Sequence, residues 1–148
     1  MPELRRDPVI GRWVIISTER GKRPNEFMSE AEPEMGKFCP FCYGNEDKTP
    51  SEVLAYGPAD RARDRQGWTL RVVPNKFPAL QIEGDSHREA QGMYDKMNGI
   101  GAHEVLIETE VHNKEIPDLD DKKTEEIIWA YRDRIIDLRK DTRFEYIL

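Results

Sequence analysis

The fold of this chain is decided by residues 103–148, HEVLIETEVHNKEIPDLDDKKTEEIIWAYRDRIIDLRKDTRFEYIL. Its first segment, His103–Thr109, contains three consecutive aliphatic residues and predicts a strand. Residues 118–140 predict a helix, because apolar side chains recur there every three or four positions. These side chains predict one core-facing stripe, made of Ile127, Ile128, Tyr131, Ile135 and Leu138. Residues 144–148 predict a further strand, so the region reads as a β-α-β unit whose last strand is cut short.

Upstream of this region, three apolar segments predict additional strands. Trp13–Ile16 reads as a buried strand, residues 52–56 as a short strand, and residues 68–73 as a β-rich alternating strand. Residues 81–102 contain few apolar side chains and read as a long excursion. Several strands with one long helix predict an α+β domain with an antiparallel or mixed sheet.

The composition narrows the class of protein. The chain has 148 residues, 37% of them apolar and 35% charged, with a formal net charge of −6. This size predicts one domain over residues 1–148. The acidic balance argues against general binding to nucleic acid or to anionic membranes. No stretch approaches the roughly 20 apolar residues of a membrane span, and two cysteines are too few for a secreted disulfide framework, so we expect a cytoplasmic protein.

Cys39-Pro40-Phe41-Cys42 is the motif most indicative of chemistry. Two thiolates three residues apart on a tight turn suit a tetrahedral soft metal such as zinc. These are the only cysteines in the chain, so other ligands must be histidine, carboxylate or water. Of the three histidines, His87 lies in a polar segment and His103 begins a strand. His112 follows that strand, where an imidazole can reach a neighbouring loop, which makes Cys39, Cys42 and His112 the candidate metal ligands.

A redox dithiol is the competing use of a C-x-x-C motif. Such motifs usually begin an amphipathic helix, whose N-terminus lowers the pKa of one thiol. Here residues 43–50, YGNEDKTP, are poor helix formers, which disfavours the redox interpretation. An incidental C-x-x-C in a purely structural domain also remains open.

Two further groups of residues could bind a nucleotide. Arg20 and Arg23 follow the first predicted strand, where guanidinium groups can converge on a phosphate, although a solvated basic loop is the simpler interpretation. Asn75 and Phe77 lie between Pro74 and Pro78. The prolines stiffen this turn, which could present an amide and a ring to a base or ribose, or could simply end the strand.

The sequence resembles a known family in four ordered blocks that together span almost the whole chain. The family is galactose-1-phosphate uridylyltransferase, of the histidine-triad superfamily. The blocks are LRRDPVIGRWVII (4–16) with RGKRP (20–24), CPFC (39–42), LRVVPNKFPAL (70–80), and GAHEVLIET (101–109) running into His112.

The resemblance implies an α+β fold and a two-step transfer of a nucleoside monophosphate between hexose 1-phosphates through a covalent nucleotidyl-histidine. Cys39, Cys42 and His112 match three zinc ligands of the family. Arg20 and Arg23 match basic residues near the substrate phosphates, and Phe41, Asn75 and Phe77 match residues of the nucleotide pocket. The implied partners are a UDP-hexose and a hexose 1-phosphate, and the full-length form is expected to be a homodimer.

The resemblance also implies that the chemistry needs residues not found here. The family's nucleophile lies in a His-x-His-x-Gln segment, whose first histidine is the fourth zinc ligand, and this segment would follow residue 148. No His-x-His occurs in the chain. We therefore expect an N-terminal half, folded like its family but inactive as a transferase alone. Two alternatives stay open: an adenylyltransferase similar to ADP-glucose phosphorylase, and a non-catalytic module that binds zinc or nucleotide.

Overall fold

Residue-level structure comes from a computed structural model that describes residues 1–22 and 38–148. The described residues divide into two compact units. The first unit comprises residues 1–22, 77–103 and 141–148, and the second comprises residues 38–76 and 104–140.

A three-stranded antiparallel sheet forms the frame of the second unit. Its strands are β3 (Leu54–Tyr56), β4 (Leu70–Pro74) and β7 (Glu104–Ile107), in the order β3-β4-β7. In the register, Val72 of the central strand pairs with Leu54 on one side and Leu106 on the other. The three strands predicted for residues 52–56, 68–73 and 103–109 are confirmed with slightly shifted ends.

Helix α1, Asp121–Leu138, packs on one face of this sheet. The Asp120 side chain caps the helix by accepting a hydrogen bond of 2.8 Å from the Lys123 backbone N–H. Ile127 and Ala130 are buried against two side chains of β4, Leu70 and Val72. The helix is therefore confirmed, two or three residues shorter at each end than predicted.

The predicted core stripe of α1 is wrong in its orientation. Ile127 is buried, but Ile128, Tyr131 and Ile135 are exposed, and the small Ala130 takes the second buried position. Arg134 shares the buried face with Ile127 and Ala130, because residues three, four and seven positions apart lie on the same side of a helix. Arg134 donates to both carboxylate oxygens of Glu104 on β7, at 2.8 and 2.7 Å, and is mostly buried.

The other face of β4 buries charge. Arg71 is 1% exposed and donates to Glu52, to the Thr49 hydroxyl and to Asp64, at 2.7, 2.8 and 2.8 Å. Glu52 is also buried and accepts two hydrogen bonds from Arg61, at 2.7 and 2.9 Å. Each of these charged groups has an opposite partner, which is the condition for burying them without a large penalty.

A four-stranded antiparallel sheet forms the first unit. Its strands are β1 (Glu3–Arg6), β2 (Trp13–Ile16), β5 (Glu89–Gln91) and β6 (Tyr94–Asn98), in the order β2-β1-β6-β5. The strand at 13–16 is confirmed, but its predicted burial is wrong, because Val14, Ile15 and Ile16 on this edge strand are exposed. Residues 81–102 are also more regular than predicted, since they contain the β5–β6 hairpin.

The predicted β-α-β unit is wrong. Residues 144–148 form no strand, and β7 pairs antiparallel with β4 rather than in parallel with a strand after α1. The α+β class is confirmed: within residues 1–22 and 38–148 there are two antiparallel sheets and one α-helix. That α-helix is too polar to cross a membrane.

Candidate metal centre

The cysteine motif folds as a tight turn in the second unit. The Cys42 backbone N–H donates to the Cys39 carbonyl at 3.3 Å, and the Asn45 backbone N–H donates to the Cys42 carbonyl at 3.0 Å. Gly44 adopts a φ of +98°, a left-handed conformation that favours glycine. The turn thus directs both thiols to one side, as the spacing of the motif predicts.

His112 reaches the same place from β7. The chain leaves this strand at Ile107 and turns through Thr109, whose hydroxyl accepts the Val111 N–H at 3.2 Å. This turn brings Nδ1 of His112 to 3.0 Å from Sγ of Cys42. The structure therefore brings together the three predicted metal ligands, although His112 lies 70 residues after Cys42 in the chain.

The three side chains lie close enough together to hold one metal ion, and the 3.0 Å between Sγ of Cys42 and Nδ1 of His112 would widen to admit it. One ligand atom from each of Cys39, Cys42 and His112 lies within 4.8 Å of the other two. In a tetrahedral zinc site, bonds of about 2.3 Å to sulfur and about 2.1 Å to nitrogen put neighbouring ligand atoms roughly 3.5 to 4 Å apart. The two cysteines are half-buried, free thiols, and the histidine is exposed. Two soft sulfurs and an imidazole are a donor set that zinc favours.

A metal ion binds the thiolate form of Cys42, and the surroundings of this side chain disfavour that form. Burial raises the pKa of Cys42, and the hydrogen bond and charge of neighbouring Cys39 raise that pKa further. The 3.0 Å between Sγ of Cys42 and Nδ1 of His112 is hydrogen-bond distance. A bound cation favours the thiolate form instead, because metal binding displaces the thiol proton.

The predicted nucleotide-binding residues are distributed over both units. Phe41 lines a cleft with Cys39, Cys42 and His112, and Lys114 lies at the same cleft. Asn75 follows directly after β4 in the second unit, whereas Phe77 belongs to the first unit. Their joint role in one pocket stays a prediction.

The predicted basic residues are only partly described. Arg20 lies in a short 3-10 helix, Thr18–Lys22, of the first unit. Arg23 lies outside the described residues. The role of either guanidinium toward a phosphate stays a prediction. His103 is a structural residue, because its Nδ1 accepts the Ala79 backbone N–H at 2.9 Å.

Sequence reasoning missed the residues that hold the cysteine turn in place. Glu46 is 7% exposed, and its Oε1 accepts the Gly44 backbone N–H at 3.0 Å and the Trp68 indole N–H at 2.7 Å. Burial alone would raise the pKa of Glu46, but these hydrogen bonds outweigh it and lower the pKa below its usual range. A single acidic residue in a polar loop gives no periodic signal, so nothing in the sequence pattern distinguishes Glu46 from its neighbour Asp47.

Comparison with known proteins identifies relatives for most of the chain. No protein-family model matches it. ADP-glucose phosphorylase of Arabidopsis thaliana is 36% identical over 99% of this chain, and galactose-1-phosphate uridylyltransferase of Thermotoga maritima is 27% identical over the same share. These matches cover 42% and 39% of the two relatives, so the chain spans about two-fifths of their length.

Solved structures agree on the fold. The crystal structure of ADP-glucose phosphorylase from Arabidopsis thaliana with bound ADP-glucose matches 99% of this chain and 41% of that one, at 34% identity and a TM-score of 0.59. A GALT-like protein from the same plant matches 98% of this chain and 39% of its own, at 32% identity and a TM-score of 0.60. A uridylyltransferase structure matches 97% of this chain and 37% of its own with a TM-score of 0.64, and its 23% identity speaks to the fold alone. The predicted resemblance to this superfamily is confirmed.

Proposed function

We propose that this chain, which is similar to an ADP-glucose phosphorylase and a uridylyltransferase over 99% of its length, is the metal- and nucleotide-binding part of a nucleotidyltransferase that acts on sugar nucleotides. One observation carries the proposal: Cys39, Cys42 and His112 converge beside Phe41 in a chain related to these enzymes over 99% of its length. We further propose that the intact protein is a cytoplasmic homodimer, which light scattering would test.

The chain's own residues would bind and orient the substrate. Arg20 and Arg23 would neutralise the charge that builds on the phosphates during transfer. Phe41, Asn75 and Phe77 would hold the base and ribose by stacking and by amide hydrogen bonds. The covalent step needs a nucleophilic histidine, which we assign to a segment outside these 148 residues, as in the family. Residues 1–148 alone would therefore bind nucleotide without turning it over.

Zinc is the metal that we propose for the cluster of Cys39, Cys42 and His112, with a structural role. A closed structural zinc site contributes folding energy and fixes the loops that carry its ligands. Here those loops are the cysteine turn, which carries Phe41, and the segment after β7. Holding these two segments together would keep the Phe41 ring in place for the nucleotide.

The proposal also concerns which sugar nucleotide donates the nucleoside monophosphate. The UMP exchange between UDP-glucose and galactose 1-phosphate that the resemblance first suggested competes with an adenylyl reaction. The identity of 36% to an ADP-glucose phosphorylase, against 27% to a uridylyltransferase, favours ADP-glucose. A non-catalytic module that binds zinc or nucleotide is the second candidate, and it requires only the cluster of Cys39, Cys42 and His112.

Calorimetric titration of the zinc-loaded chain with ADP-glucose and UDP-glucose tests the binding proposal. We expect saturable binding, tighter for ADP-glucose, and a loss of about tenfold in Phe41→Ala, because one base–aromatic stack contributes roughly 1 to 3 kcal/mol. Phe38→Ala is the matched control, since Phe38 is an exposed aromatic residue on the same segment but outside the cleft. Equal effects of the two variants would reject the assignment of Phe41.

The whole gene product should then be assayed for the reaction. Transfer of AMP from ADP-glucose to inorganic phosphate, with release of glucose 1-phosphate, would support the adenylyl proposal. Transfer of UMP from UDP-glucose to galactose 1-phosphate, with release of glucose 1-phosphate, would support the uridylyl one. A gene product that binds either nucleotide but exchanges neither would favour the non-catalytic module.

A further inference from the structure

The cysteine turn carries two metal ligands, and the backbone hydrogen bonds that the structure describes for it stay within residues 39–48. Two side chains from the following residues brace the turn internally. The Asn45 amide donates to the Cys39 carbonyl at 2.7 Å, which fixes the start of the turn. The Glu46 carboxylate accepts the Gly44 backbone N–H, two residues after Cys42, and thereby fixes its end.

Glu46 ties this turn to a buried tryptophan. Its Oε1 accepts the Trp68 indole N–H at 2.7 Å, and Trp68 is only 2% exposed. An indole N–H buried to this degree has no water to bond, so losing its acceptor is costly. Tyr43 adds a ring contact with Trp68 at 5.5 Å between centroids, and its hydroxyl accepts the Gly67 N–H at 2.5 Å.

Trp68 also contacts the strand that leads to the histidine ligand. Its ring packs in a buried cluster with Val73 of β4 and Ile107, the last residue of β7. His112 follows five residues later, after one turn. Trp68 therefore touches both sources of the metal ligands: the cysteine turn through Glu46, and the histidine segment through Ile107.

We propose that Glu46 and Trp68 are positioning residues of the metal site, which set the distance between the cysteine turn and His112 without contacting the ion. This inference rests on the proposed metal-binding function. On this inference, losing the Glu46–Trp68 hydrogen bond weakens metal binding in addition to destabilising the fold. Removing a residue that orients a metal ligand without touching the ion typically changes the metal affinity by about 10- to 100-fold.

The test is a competition titration of Zn²⁺ and Co²⁺ against a chromophoric chelator, with the intact chain and four variants. We expect Glu46→Ala and Trp68→Phe each to weaken metal binding by about tenfold or more. Glu46→Gln retains an acceptor oxygen and should recover part of the affinity. The double variant Glu46→Ala/Trp68→Phe should be no weaker than the worse single variant, because both changes remove the same hydrogen bond.

Two other residues provide matched controls. Asp47→Ala removes an exposed carboxylate next to Glu46, and Trp129→Phe makes the same ring change on an exposed site of α1. Both should leave metal affinity within about twofold of the parent chain. The Co²⁺ charge-transfer band should shift in Glu46→Ala and Trp68→Phe but not in the controls, since a purely structural residue would not alter the ligand geometry.

The outcomes separate this inference from the proposed function. If the parent chain binds no Zn²⁺ or Co²⁺, the metal-binding function fails and the inference falls with it. If the parent chain binds metal but Glu46→Ala, Glu46→Gln and Trp68→Phe bind it equally well, the inference alone is overturned, even if thermal stability drops. If Glu46→Ala does not fold, Glu46→Gln and Trp68→Phe decide by the same criterion.

Discussion

The two units of this chain are built on sheets of similar size but hold together differently. Apart from Pro2, every buried apolar side chain among the described residues lies in the second unit, including Trp68, Leu70 and Ile127. In the described part of the first unit, the buried residues are only Pro2, Gly99 and Gly101. Side chains of the second unit thus cover the three-stranded sheet, whereas the four-stranded sheet is held by backbone pairing and exposed ion pairs.

This difference also separates two kinds of ionic interaction. Arg71 and Glu52 of the second unit are each no more than 5% exposed. Arg88 of the first unit pairs with Asp95 at 2.7 Å, but the Arg88 side chain is 57% exposed. Buried pairs lose much when one partner is removed, and exposed pairs lose little, because water replaces the missing partner. The second unit should therefore dominate stability, and it is the unit that carries the metal ligands.

Removing Arg71 should have the largest effect. We expect Arg71→Met to lower the free energy of unfolding by about 3 to 5 kcal/mol, because it leaves Glu52 and Asp64 short of a buried partner. The matched change Arg88→Met should cost at most about 1 kcal/mol. Urea titration followed by circular dichroism measures both values, and equal losses would remove the distinction between the units.

The next largest effect should come from the apolar core. Ile127→Ala should cost about 2 to 4 kcal/mol, since it opens a cavity against Leu70 and Val72. Ile128→Ala, the next residue on the same helix, and Ile15→Ala on β2 should each cost less than about 1 kcal/mol, because both side chains are substantially exposed. A cost for Ile15→Ala comparable to that of Ile127→Ala would show that the first unit has a core of its own.

Lowering the pH should destabilise the fold through the same buried network of Arg71, Glu52 and Asp64. Burial alone would raise the pKa of Glu52, but hydrogen bonds from Arg61, from the Asp64 backbone and from Arg71 lower it below its usual range. The pKa of Asp64 is likewise lowered, since hydrogen bonds from Ser51, Glu52 and Arg71 outweigh its burial.

A carboxyl whose pKa is lower in the folded than in the unfolded chain stabilises the fold above the unfolded pKa and loses that contribution as pH falls toward the folded pKa. We therefore expect constant stability from pH 7 to about pH 5, then a decline of about 1.4 kcal/mol per pH unit for each extra proton bound by the unfolded chain. Urea midpoints at pH 7, 5 and 4 measure this decline. In Arg71→Met the decline should be shallower, and an unchanged slope would exclude the network as its source.

Much of the second unit could be predicted from sequence because its signals are local. The aliphatic run in β7 and the repeating apolar residues of α1 gave correct elements, and C-x-x-C with His112 gave three side chains that do converge. Spacing could not orient the helix, because apolar residues occupy more than one of its faces. The burial of Arg71 could not be predicted, because a charge in an alternating strand ordinarily indicates a solvent-facing position.

The errors fall where structure depends on long-range pairing. β1 and the β5–β6 hairpin are polar, and the strand pairing that orders them joins segments about 90 residues apart, such as Leu4 with Met97. No local pattern encodes such a pairing. Residues 144–148 have strand-like composition without a strand partner in the described chain, and propensity alone does not make a strand. Glu46 was invisible for a related reason, since its partner Trp68 lies 22 residues away.

The proposed function requires that Cys39, Cys42 and His112 bind one metal ion together. Zinc-edge X-ray absorption on the purified chain, combined with elemental analysis, tests this directly. We predict about one zinc per chain, coordinated by two sulfurs and at least one imidazole nitrogen. His112→Asn should remove the imidazole contribution, whereas His87→Asn, a change at an exposed histidine of the first unit, should not. A chain that purifies without zinc and takes none up, or zinc bound without sulfur, would contradict the account.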